Sequence, residues 1–181
     1  MFISQQLRKN NIAEYLLYMW QVEDTIRAFG CSLARIKREY IDKFDYTEEQ
    51  KEELTDWYGH LIRMMNEEGC RETGHLQINK VTMMNLEELH ARRLQSPKFP
   101  FYNAAYYKVL PFIVELRNRG ANKEENEIET CFDALYGVMI LRLQKKPITP
   151  NTEHAVKEIT TLVGMLSDYY KKDREEPLEF E

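Results

Sequence analysis

Apolar side chains recur every three or four positions from Ile12 to Phe44, through Leu16, Met19, Val22, Ile26, Phe29, Leu33, Ile36 and Tyr40. That is the spacing of one buried face on a helix with ~3.6 residues per turn. Gly30-Cys-Ser32 interrupts the run without shifting its phase. A glycine inside a helix costs ~1 kcal/mol relative to alanine, so the pattern favours one long helix kinked near Gly30 over a loop. From Tyr15 to Trp20 the helix is apolar nearly all round, which places that stretch centrally or against a partner.

The same periodicity organises the rest of the chain. Thr47-Glu-Glu-Gln50 reads as a capping box, followed by a stripe of Leu54, Trp57, Leu61 and Met64 or Met65. A helix from about His75 to Gln95 carries Leu76, Met83, Leu86 and Leu94, and Ser96-Pro-Lys-Phe-Pro100 stops it. The next stripe is Tyr102, Tyr106, Val109, Ile113 and Leu116, widened by Phe101, Tyr107 and Phe112, with Pro111 expected to kink it and Gly120 to cap it. Asn122-Lys-Glu-Glu125 can open a helix with Ile128, Phe132, Leu135, Met139 and Leu143, ended by Pro147. Thr149-Pro150 is an N-cap with proline at the first helical position, before Ala155, Ile159, Leu162, Leu166 and Tyr169. Short connectors make the expectation an all-α, antiparallel bundle of about six helices. Residues 1–181 would form a single domain with flexible N-terminal residues and an acidic tail frayed from about Asp173.

Composition narrows the function classes. Seven glycines and six prolines are too few turn residues for a β-sandwich or a βαβ protein. A net charge of −5 argues against a nucleic-acid footprint. Arg35-Ile-Lys-Arg38, Arg92-Arg93, Lys145-Lys146 and Lys171-Lys172 read as capping and solvating charges, most of them at helix C-termini. No apolar run approaches the ~18 residues of a membrane span, and Met1 to Leu7 turns polar too soon for a secretory leader. Three widely spaced cysteines without a CxxC read as reduced thiols, and the expected location is the cytoplasm.

Candidate chemistry is sparse. Glu72-Thr-Gly-His75 and Glu87-Glu-Leu-His90 have the Glu-x-x-His spacing of di-iron bundles, but the first straddles a turn. His75 and His90, fifteen residues apart on one helix, are separated by ~22 Å. His60 and His154 offer no shared register with them, so no metal site and no cofactor are expected. Cys70, beside Arg71, is the one thiol whose pKa an adjacent cation could lower. Glu23 interrupts an apolar helix and is expected to pair with Arg27 at i, i+4. No Walker A sequence, Gly-x-Gly-x-x-Gly or Gly-x-Ser-x-Gly elbow occurs. The aromatic segment from Phe99 to Tyr107 is the best candidate binding surface: Tyr102 and Tyr106 lie one turn apart and could line a groove with Trp20 or Trp57.

The Gly74-His-Leu76 helix start, the Leu89-His90 pair, the tyrosine-rich stretch from Tyr102 to Tyr107 and the chain length resemble a bacterial family described only as a domain of unknown function. The resemblance covers nearly the whole chain and implies an all-α bacterial protein. It supplies no catalytic residues to carry over. The expected function is a non-enzymatic interaction or scaffold protein, self-associating through the apolar Tyr15 to Trp20 stretch or meeting a protein partner. The alternative is a small-molecule-binding or enzymatic bundle with an aromatic pocket around Trp57, Tyr102 and Tyr106.

Overall fold

The computed structural model describes residues 1–119, 125–176 and 178. The described residues form eight α-helices and no strand: α1 (Phe2–Asn10), α2 (Ile12–Ala28), α3 (Leu33–Glu39), α4 (Glu48–Glu67), α5 (Gln77–Gln95), α6 (Pro100–Asn118), α7 (Glu127–Leu143) and α8 (Pro150–Glu175), with a short 3-10 turn at Ile41–Lys43. No described helix is long and apolar enough to cross a membrane. The capping expected at Gly120 and the helix start at Asn122 fall outside the described residues.

The first helix departs from expectation. Residues 2–10 form α1, where Ser4 Oγ donates to Met1 O at 2.7 Å. The long stripe is cut rather than kinked. Gly30 and Cys31 adopt φ of 65° and 55°, the left-handed region that ends a helix, and Cys31 N returns to Ile26 O at 2.9 Å. Ser32 then caps α3 by accepting from Arg35 N. Periodicity survives the break because the turn keeps Leu33 and Ile36 on the core side, while glycine makes the left-handed turn cheap.

The chain divides into two compact units, Met1–Asn10 with Glu14–Thr82, and Asn11–Ala13 with the residues from Met83 onward. In the first unit, α3 packs on α4. Gly59 of α4 makes this close approach possible, since a Cβ there would stand 3.3 Å from Leu33 Cδ2. Leu16, Ile26, Ile36, Ile41, Met65 and Leu76 are fully enclosed. The α4 start is the capping box expected from sequence, with Thr47 and Gln50 satisfying each other's backbone amides.

In the second unit, α6, α7 and α8 pack on one another around Val109, Ile113, Ile128, Phe132, Ile159 and Leu162. Asn126 caps α7, and Thr149 caps α8 with Pro150 in the first turn. The start of α2 is tied to α8 here: Ser167 Oγ donates to Asn11 Oδ1 at 2.9 Å and accepts from Ala13 N.

Candidate interaction surface

α6 is apolar on two opposite sides. Its inner side carries Tyr102, Val109 and Ile113, all buried. Two hydroxyls anchor that side: Tyr102 is hydrogen-bonded to His90 Nδ1 at 2.6 Å, and Tyr106 donates to Glu127 Oε2 at 2.8 Å. Desolvation pushes the Tyr106 hydroxyl up to about 12, helped by the neighbouring Glu127 carboxylate. The outer side carries Phe101, Tyr107 and Val114, which are 82%, 67% and 51% exposed. Ala104 and Pro111 lie between them and are exposed too. At 100° per residue Ala104, Tyr107, Pro111 and Val114 fall on one stripe opposite the buried one, and Phe101 stands beside it, across the exposed Lys108 and Glu115. Phe101 and Tyr107, expected to widen the buried stripe, instead face away from it. Large apolar side chains scattered singly are ordinary, but a continuous stripe on one helix is the mark of a contact surface.

A second opening in the same unit is a half-open cleft of about 850 Å³ between α6, α7 and α8. Its apolar walls include Leu116, Ala134, Val138 and Ile159, and its polar groups come from the end of α6 (Glu115, Arg119), from Asp133 and from the first turn of α8 (Thr149, Thr152, His154). Gly137 of α7 lines it, and a Cβ at that position would meet only open space.

The remaining polar centres are interior. Glu23 is fully buried and does not pair with Arg27 as its spacing suggested. Its Oε2 accepts from His75 Nδ1 at 2.6 Å, and its Oε1 accepts from Leu76 N at 3.0 Å and Asn79 Nδ2 at 2.7 Å. With Glu68, which takes Gln77 N at 2.6 Å, it satisfies amides at the start of α5 that no helical carbonyl can reach. Trp20 stacks on the His75 ring, centroids 4.3 Å apart at 16°. Arg27 bonds to Asp24 Oδ1 at 2.8 Å and donates to Cys70 O and Gly74 O. Cys70 is buried and its pKa is raised, by desolvation first and then by Glu23 and Glu68, so it is not the lowered thiol that Arg71 beside it could have made.

Arg93, read from sequence as a surface charge at a helix end, is fully buried, its guanidinium 3.8 Å from the centre of the Phe99 ring and 3.3 Å from that of Tyr169. His90 is buried, and desolvation lowers its pKa to about 4 against a smaller opposing pull from Glu127.

The four candidate site residues fall into different settings. Trp20 is 3% exposed and Trp57 half-buried, edge-on to Tyr58 at 5.1 Å, both in the first unit. The whole Tyr15 to Trp20 stretch offers little free surface: Tyr15, Leu16 and Met19 are buried with Trp20, and Leu17 and Tyr18 are half-buried. Tyr102 and Tyr106 belong to the second unit, the first enclosed and the second half-buried against His90. Of the histidines, His60 and His154 are exposed, His75 is partly exposed and His90 is buried. What the sequence reading missed is the outer face of α6. Its signal was present as a second apolar line through Phe101, Ala104, Tyr107, Pro111 and Val114.

A model of the family described as "Domain of unknown function (DUF4924)" matches residues 1–177, and the chain belongs to that family. Neither the curated proteins nor the solved structures gave a match.

Proposed function

We propose that this member of the family is a non-enzymatic interaction protein whose working surface is the outer face of α6. The observation that carries this reading is the exposure of Phe101, Tyr107 and Val114 on one side of a helix whose other side already forms a core. A helix needs only one apolar stripe to join a bundle, so the second has no role inside the fold. Recognition by such a face follows helix-in-groove or helix-on-helix rules, with anchors at i, i+3 and i+7. Benzoylphenylalanine placed at Tyr107 should form a covalent protein adduct on irradiation in intact cells. That adduct should disappear when Phe101→Ser and Val114→Ser are added. An adduct no stronger than one formed from Lys171, an exposed polar site on α8, overturns the reading.

A second reading, binding of a small apolar molecule, is supported by the cleft of about 850 Å³ and by Gly137, a glycine kept in mid-helix where a side chain would have room. Sites of roughly 300–1,000 Å³ hold drug-sized ligands. Native mass spectrometry of the protein as purified from cells should then show retained mass that Gly137→Leu abolishes. The bare chain mass in the unsubstituted protein sinks this reading.

A further inference from the structure

We propose that the partner on the outer face of α6 is a second copy of this chain, its α6 laid antiparallel to the first across a two-fold axis at Pro111. This rests on the reading of that face as the working surface. Positions seven apart lie on one line along a helix, because seven residues make almost two full turns. The exposed side of α6 therefore carries three parallel lines. One holds Phe101, Lys108 and Glu115, the middle one Ala104 and Pro111, and the other Tyr107 and Val114, all of them exposed.

A two-fold axis perpendicular to the helix reverses its direction and keeps each edge of the contact opposite its own copy. Lys108 of one chain then faces Glu115 of the other, and the same pair repeats on the far side of the axis. Tyr107 faces Val114, also twice. The midpoint of the charged pair falls just after Pro111 and that of the apolar pair just before it, ~1.5 Å apart along the helix, so one axis serves both. Pro111 sits at that axis with no charge and no N–H to desolvate. A parallel pairing fails this test, because it sets the Lys108 and Glu115 line against the Tyr107 and Val114 line. Glu115 already meets Arg119 of its own helix at 2.6 Å, but both groups are exposed, and a partner lysine can join that pair.

The face of one helix is smaller than the ~800 Å² per partner of a standard interface, so the dimer should be weak and concentration-dependent. Sedimentation velocity across a concentration series is the test. The unsubstituted protein should shift from monomer to dimer. K108E puts two glutamates on the line and E115K puts two lysines there, so each alone should dimerise at least ~10-fold more weakly. An equimolar mixture of the two variants should pair as a heterodimer with affinity near that of the unsubstituted protein, and the double variant K108E/E115K should self-associate again. Both sites are solvent-exposed, and circular dichroism verifies that each variant is folded. A protein that stays monomeric at every concentration overturns the proposal, as do single variants that dimerise normally or a mixture that does not recover. The adduct at Tyr107 separates the two levels. A monomeric protein that still cross-links there to a different protein loses the second-copy proposal and keeps the interaction reading. A monomeric protein with no adduct loses both.

Discussion

Glu23→Ala should lower the stability of the first unit by ~3–5 kcal/mol, the range found when one member of a buried, hydrogen-bonded polar set is removed. Three donors converge on this carboxyl group, from His75, Leu76 and Asn79, and Glu23 itself has no solvent exposure. Truncation leaves the Leu76 amide and the Asn79 side chain buried without their acceptor. It also frees the His75 ring on which Trp20 stacks. Glu23→Gln keeps an amide oxygen for the donors that meet Oε1 and should lose less. Asp24→Ala removes an exposed ion pair with Arg27 and should stay within ~0.5 kcal/mol. Both tryptophans belong to the first unit, so urea unfolding followed by tryptophan fluorescence reads this effect directly. A loss from Glu23→Ala no larger than that from Asp24→Ala would mean that the buried network does not hold the start of α5.

Acid should weaken the second unit through His90. Burial holds its folded pKa at about 4, below the ordinary 6.5 it regains on unfolding. Between these values the unfolded chain binds the extra proton, so stability falls as pH falls. The contribution is fully present above about pH 6.5 and is lost progressively down to about pH 4. At ~1.4 kcal/mol per unit of pKa difference, the loss between pH 7 and pH 5 is ~2 kcal/mol. His90→Gln keeps a polar group for the Tyr102 hydroxyl and has no imidazole to protonate. Urea unfolding by circular dichroism at the two pH values should therefore show a difference smaller by that amount in the variant. An unchanged difference would place the acid sensitivity elsewhere.

What could be read in advance divides along the range of the interactions involved. The capping box at Thr47 and Gln50, the cap at Thr149 and the stripes of α4, α6 and α8 are local, and the structure contains them, while the α7 stripe holds at Ile128 and Phe132 and fails at Leu143, which is 61% exposed. The fate of Glu23 was not local. Its spacing to Arg27 suggested a surface pair, but the partner that takes it, His75, lies 52 residues away. Arg93 escaped for a related reason: a helix-end arginine is ordinarily solvated, and only the fold brings the rings of Phe99 and Tyr169 against its guanidinium. The break at Gly30 was visible as a residue but not as a geometry, because a short turn that preserves phase leaves the hydrophobic pattern intact. On α6 the aromatic richness was noticed, and the side it faces was not, since Phe101 and Tyr107 fit a broad stripe as readily as a second one.

A helix with two apolar sides could be laid into a bundle either way round, and on the outer side of α6 only Lys108 and Glu115 make burial favour one choice. The hydroxyls of Tyr102 and Tyr106 add to that preference. In the observed orientation they meet His90 and Glu127, whereas turning α6 over would carry both away from those partners and leave the buried imidazole without its hydrogen bond. These two tyrosines thus act as a key for one rotation of α6, and with those two charges they decide which side of the helix the outside world meets.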